Sequence, residues 1–270
     1  MNIKVYDCIM FNGEWDMLEI RLHTHDAHVD HFVIVESNQT FTGVPKSMQF
    51  DIGHPVVQPF SHKIRYVLVT DMPQSSDPWH REYWQRDAII RALWDAQDAD
   101  VVIISDCDEI LTPACIRETK QDESHDYWGY HLPLYYCYMN NRCVGAHADK
   151  IWSVAIRFQL LHFNAAHFWR MHAGNVGPLV RSRVLINAGW HYSFMMPSEQ
   201  IANKLRSFSH QEFDIDNIVH NLQVSEQVAQ NQDILGRSHV EWQIVPEQAC
   251  DLPDYVKQNS HKFNKYMFKY

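Results

Sequence analysis

The chain holds 270 residues, with 33 Asp and Glu against 23 Lys and Arg, a formal charge of −10 that leaves 18 His uncounted. A net-negative chain is a poor match to a nucleic-acid backbone, and 46% hydrophobic with 21% charged residues describes a globular protein, not a disordered one. No run approaches the roughly 18 apolar residues of a transmembrane helix.

In chain order, residues 3–10 read as a strand, opening a segment that lacks the apolar stretch of a signal peptide. Residues 14–25 suit an amphipathic helix, with Trp15, Leu18 and Leu22 in register and Met17 and Ile20 beside them. Residues 29–37 contain Phe32-Val33-Ile34-Val35 and end on Glu36, and residues 64–70 form a similar run before Asp71. Residues 79–96 read as a helix, and Val101-Val102-Ile103-Ile104 as a short buried strand running into Ser105-Asp106. Residues 127–138 are aromatic-rich and strand-like, and residues 151–158 suggest another strand. Residues 189–194 suit a strand or a loop end, and residues 197–208 a helix opening near Pro197 and Ser198. No Gly/Ser/Pro-rich linker separates the halves, so one continuous domain over 1–270 is expected. The six Cys form no CxxC pair, which favours reduced thiols and a cytoplasmic setting, peripheral to a membrane at most.

Continuous β-branched runs separated by helical patterns indicate a parallel sheet covered on both faces. In such sheets a ligand lies outside the carboxyl ends of the strands, where Glu36, Asp71, Asp106 and Asp108 gather. The strongest local feature is Ser105-Asp106-Cys107-Asp108-Glu109-Ile110. Two carboxylates at i and i+2 past a strand end can turn toward one hard divalent cation, Mg²⁺ or Mn²⁺, and leave coordination positions for phosphate oxygens. A second cluster, His23-Thr24-His25-Asp26-Ala27-His28 with Asp30 and His31, is similar to the HxHxDH pattern of zinc hydrolases. Its Asp is displaced by one position and it follows a helix, so a solvated helix end is expected. Arg86 in the second helix can reach a diphosphate or a carboxylate, and His191, flanked by aromatics, reads as a packed residue. With 9 Gly and no Walker loop, GxGxxG or GxSxG, a phosphate-bearing ligand would be held through a metal and a few basic side chains.

Several stretches together resemble glycosyltransferase family 17, the family of β-1,4-mannosyl-glycoprotein N-acetylglucosaminyltransferases. They are residues 7–22, opening Asp7-Cys8-Ile9-Met10-Phe11-Asn12-Gly13-Glu14-Trp15, and residues 29–43, containing Val35-Glu36-Ser37-Asn38-Gln39-Thr40. Arg86-Asp87, Ile103-Ile104-Ser105-Asp106-Cys107-Asp108-Glu109-Ile110, Ala188-Gly189-Trp190-His191-Tyr192-Ser193-Phe194 and Lys204-Leu205-Arg206-Ser207-Phe208-Ser209-His210-Gln211-Glu212 follow in the family's order.

The resemblance implies a GT-A-type nucleotide-diphospho-sugar transferase fold: α/β, with a mostly parallel central sheet and helices on both faces. About 1–110 would form the nucleotide half and about 111–270 the acceptor half. It also implies a UDP-sugar donor (UDP-GlcNAc), Mn²⁺ or Mg²⁺, a glycan acceptor and inversion to a β-linkage. Asp106 and Asp108 would hold the metal and His191 would be a later ligand. Asp7 and Glu36 would lie near the uridine, with Arg86 in the same nucleotide site. Asp108, Glu109 and Glu199 form the expected catalytic set, and Glu212 and Asp214 are further candidates for the general base. Two other readings compete. One is a zinc hydrolase built on His23, His25 and His28. The other is a non-catalytic carbohydrate-binding protein using Tyr135, Tyr136, Tyr138, Trp152 and Trp169.

Overall fold

A computed structural model describes residues 3–178, 180–213 and 215–269, apart from the side chain of Asp149. The strands are β1 (Val5–Met10), β2 (His31–Ser37), β3 (Ile64–Val69), β4 (Val101–Asp106), β5 (Glu109–Leu111) and β6 (Tyr127–His131). They continue with β7 (Leu134–Tyr136), β8 (Asn141–Val144), β9 (Ile151–Arg157), β10 (Ser182–Leu185), β11 (Gly189–Ser193) and β12 (Glu241–Ile244). The helices that matter to the site are α1 (Trp15–His25), α2 (Pro78–Asp87), α3 (Pro113–Gln121), α4 (Ala166–Met171) and α5 (Ser198–Ser207).

Among the described residues two sheets form, one ordered β10-β6-β9-β4-β1-β2-β3 and the other β12-β8-β7-β11-β5. In the larger sheet β3, β2, β1 and β4 run parallel, and β9 lies antiparallel between β4 and β6. Side chains alternate across a strand, and here both faces are apolar. Val5, Ile9, Phe32, Ile34, Val101 and Ile103 pack with Leu18 and Leu22 of α1 and Ile116 of α3. Tyr6, Cys8, Val33, Val35, Val102 and Ile104 pack on the other side with Ile89 and with Trp169 of α4. The chain is therefore α/β with a mixed, mostly parallel sheet and helices on both faces. No helix among the described residues is long and apolar enough to cross a membrane.

Two expected elements differ. The helix expected over 79–96 is α only to Asp87 and tightens into a 3₁₀ turn at Ala88–Ala92, which turns Ala88, Ile89 and Ala92 onto the sheet. The single strand expected over 127–138 breaks into β6 and β7, which belong to different sheets. Pro133, between them, has no N–H to offer a ladder.

Candidate active site

The parallel register sets Met10 of β1 opposite Asp106 of β4, so these strands end together. Beyond them opens a cavity of about 610 Å³ lined by residues of both halves of the chain, Asp106, Asp108, Glu109, Arg86 and His191 among them. The chain turns between β4 and β5. Cys107 packs into the core beneath this turn, while Asp106 and Asp108 on either side reach the cavity wall.

That turn is held from below by Arg21 of α1, which is fully buried. Its Nη1 donates to the carbonyls of Asp106 (3.0 Å) and Glu109 (2.7 Å), and its Nη2 to Ser105 Oγ (2.6 Å). Asp7 neutralises the guanidinium, accepting from Nε at 2.8 Å and from Nη2. His25 completes the cluster: Nδ1 lies 2.8 Å from Asp7, and Nε2 accepts the Leu111 N–H at 3.0 Å. Burial lowers the His25 pKa, which leaves the neutral imidazole with its proton on Nδ1. Burial alone would raise the Asp7 carboxyl, but Arg21 and then His25 outweigh it and hold Asp7 well below the usual carboxylate range. Asp7 is not among the residues that line the cavity.

Around the acid pair, charges alternate. Asp106, its side chain 40% exposed, lies 3.0 Å from Arg86 Nη2 and 3.7 Å from Arg170 Nη2. Its depth in the cavity would raise its pKa, but Arg86 and then Arg170 hold it below the usual range. Arg86 also binds Glu82 at 2.9 Å. Asp108 lies 3.8 Å from His191 Nε2 and 3.5 Å from Lys204 Nζ, and Lys204 also meets Glu14 at 3.4 Å. Burial would lower the Lys204 ammonium, but Asp108 and Glu14 outweigh it and raise it. Glu109 is fully buried, pairs with Arg170 at 2.6 Å and accepts from Asp106 N–H (3.0 Å) and Ser153 Oγ (2.8 Å). Arg86 Nε and Nη1, Arg170 Nε and His191 Nδ1 have no hydrogen-bond partner among the described residues.

The remaining expected residues fall elsewhere. Glu36 is fully buried but does not line the cavity: it accepts from Lys46 Nζ (2.9 Å), the Gln49 (2.6 Å) and Phe50 (3.0 Å) N–H groups and Tyr66 Oη (3.0 Å). It thereby pins the loop whose Lys46 lines the cavity. Asp71 forms an exposed pair with Arg91. Glu199, in the first turn of α5, is exposed and does not line the cavity. Glu212 does line it, 2.6 Å from His210 Nδ1, and Asp214 lies outside the described residues.

The zinc reading fails. His23 stacks on Tyr255 at 3.9 Å, His25 is turned inward and His28 lies 3.2 Å from Arg117. No group of three or more His, Cys, Asp or Glu among the described residues is arranged to hold an ion. Nor is the cluster a solvated helix end, since His25 is fully buried. Of the five aromatics, Tyr136 and Trp152 line the cavity, whereas Trp169 is core. Arg21, Arg170 and Lys204 were not singled out from the sequence. Arg21 and Lys204 stand in resembling stretches but with no role marked, and Arg170 carries no local pattern, since its partners Asp106 and Glu109 lie far along the chain.

β-1,4-Mannosyl-glycoprotein 4-β-N-acetylglucosaminyltransferases of Rattus norvegicus and Homo sapiens are each 32% identical over 116 residues, 40% of this chain. The match spans only 21% and 22% of those relatives' own lengths. A solved glucosyl-3-phosphoglycerate synthase from Mycobacterium tuberculosis, in complex with Mn²⁺, UDP and phosphoglyceric acid, is similar at a TM-score of 0.43 and 11% identity, over 94% of this chain and 91% of that one. The family model of glycosyltransferase family 17 matches residues 1–268. The chain belongs to glycosyltransferase family 17.

Proposed function

We propose that this protein is a metal-dependent, inverting glycosyltransferase that moves GlcNAc from UDP-GlcNAc to a glycan hydroxyl through a GT-A-type site. The observation that carries the reading is the charge at the end of β4. Asp106, Asp108, Glu109, Glu82 and Glu14 face Arg86, Arg170 and Lys204 there. Carboxylates outnumber cations, so a diphosphate entering alone meets net repulsion. Asp106 and Asp108 on the cavity wall would hold a hard divalent ion most of whose shell comes from ligand oxygens, since no group of three His, Cys, Asp or Glu among the described residues is arranged to hold one. When bound, such an ion supplies positive charge to the diphosphate as the sugar–phosphate bond breaks.

The chain's own groups do the rest. Arg86 and Arg170 hold Asp106 anionic and keep guanidinium N–H groups unengaged, available to phosphate oxygens. Lys204 positions Asp108 from the opposite side. Glu109 orients the turn and has little capacity left to act as a base, its oxygens already accepting from Arg170, Asp106 N–H and Ser153. The attacking hydroxyl must lose its proton, and Glu212, its side chain 56% exposed on the wall beside His210, fits that role.

The test is a thermal-shift and calorimetric screen of UDP-sugars with and without Mn²⁺, followed by assignment of the product anomer. UDP-GlcNAc should stabilise the protein only with Mn²⁺ present, a shift that EDTA removes, and the product should be β-linked. Equal nucleotide-sugar binding in EDTA would overturn the metal assignment.

A further inference from the structure

The cavity wall carries six Lys or Arg side chains: Lys46, Arg86, Lys150, Arg170, Lys204 and Arg237. Five pair with carboxylates, at 2.9 Å (Lys46 with Glu36), 2.9 Å (Arg86 with Glu82), 2.6 Å (Arg170 with Glu109), 3.4 Å (Lys204 with Glu14) and 2.7 Å (Arg237 with Asp233). Lys150 has no ion pair among the described residues, and its Nζ lies 5.6 Å from the centre of the Trp152 ring. Partial burial of its stem and then the charge of Arg237 lower its pKa, although the residue as a whole is exposed. Like charges held together destabilise a fold unless something anionic joins them.

The surrounding donors are also unfilled. Tyr136 Oη, His147 Nε2 and Trp152 Nε1 lack hydrogen-bond partners among the described residues, although Tyr136 and His147 are 2% and 9% exposed. Buried polar groups are ordinarily satisfied, and these three residues line the same cavity as Lys150. The patch adjoins the acid pair through Trp152, whose ring lies 4.6 Å from His191 and 6.2 Å from His147. The cavity wall thus carries carboxylates where β4 ends and, around Trp152, an unpaired Lys150 and polar side chains without partners.

We propose that Lys150, with Arg237, Tyr136, His147 and Trp152, forms a subsite for an anionic group, a carboxylate or phosphate ester, carried by the acceptor saccharide. This rests on the glycosyltransferase reading, in which Asp106 and Asp108 mark the donor end. The acceptor would then be an acidic sugar or a sugar phosphate. The Trp152 ring would cover an apolar edge, and Lys150 and Arg237 would meet its charge.

The experiment is calorimetry on the full chain with UDP and Mn²⁺ present. Glucuronic acid and mannose 6-phosphate serve as anionic probes against glucose and mannose. At least one anionic probe should bind more tightly than its neutral counterpart. Lys150→Gln should weaken that probe by about tenfold or more, leave the neutral sugars unchanged and be rescued by Lys150→Arg. Lys150 is exposed, so the fold should tolerate both substitutions. Equal binding of charged and neutral probes, or no binding of either anionic probe, would overturn the proposal. So would a loss of UDP affinity in Lys150→Gln matching any loss of probe affinity, since the anion recognised would then be the donor's diphosphate. Failure of UDP to bind wild-type protein, with a Lys150-dependent anionic preference kept when UDP is omitted, would instead sink the donor assignment alone.

Discussion

Asp106 and Asp108 look alike in the sequence, yet the structure gives them different work. Asp106 is gripped by Arg86, with Arg170 just beyond. Asp108, with His191 and Lys204 near it but at no hydrogen-bonding distance, is the freer carboxylate. Asp108→Asn should therefore lower turnover by about a hundredfold or more with little change in melting temperature; steady-state kinetics with a Mn²⁺ titration checks this. Asp7 is the reverse case. Removing its charge strands a fully buried Arg21, and breaking a buried pair from one side costs about 3–5 kcal/mol. Urea unfolding of Asp7→Asn should show a loss of that size, whereas unchanged unfolding with weakened UDP binding would return Asp7 to the nucleotide site. The acid pair was legible because a run of β-formers ends directly on it. The role of Asp7 was not, since nothing around residue 7 announces a partner on the next helix or a turn almost a hundred residues away.

At the scale of elements, β1 to β4 and α1 were readable from uninterrupted apolar runs and helical spacing. β5, β8, β10 and β12 were not, being three or four residues long and held by partners distant in sequence. The short strand β11 shows what such pairing does. Its Gly189 lies opposite Leu111 and its His191 opposite Glu109, so the β5–β11 ladder sets His191 beside Asp108. A Cβ at Gly189 would sit 2.0 Å from the Ile110 carbonyl oxygen and 2.7 Å from Leu111 Cα, backbone atoms that cannot step aside. Gly189→Ala should cost about 1–3 kcal/mol and lower kcat as His191 is displaced from Asp108. Denaturant titration and turnover on the same preparation measure both, and a stable variant with full activity would refute the ladder's role.

For the whole molecule, the 18 His matter less as ligands than as a limit on acid tolerance. Burial, reinforced by Lys150 and Arg237, pushes His147 down to about 4, and burial lowers His25 as well. Unfolded His takes up its proton near pH 6.5. Between about pH 6.5 and 4 the unfolded state therefore binds more protons than the folded one, and stability falls as pH falls through that window. Melting temperatures across it should drop for the wild type and drop less for His147→Gln; parallel curves would show that His147 contributes nothing. The order of strands in the larger sheet has a separate consequence during synthesis. β4 sits between β1 and β9, but the ribosome makes β5 to β8 before β9. Until β9 emerges, a nascent chain displays Val101-Val102-Ile103-Ile104 along an open edge, the kind of surface that recruits other strands. Of the two residues that fasten Glu109, Ser153 arrives with β9 itself and Arg170 later still. A prematurely terminated chain is thus both adhesive and without a finished active site, and translation through residues 107–157 is the interval in which chaperone cover counts most.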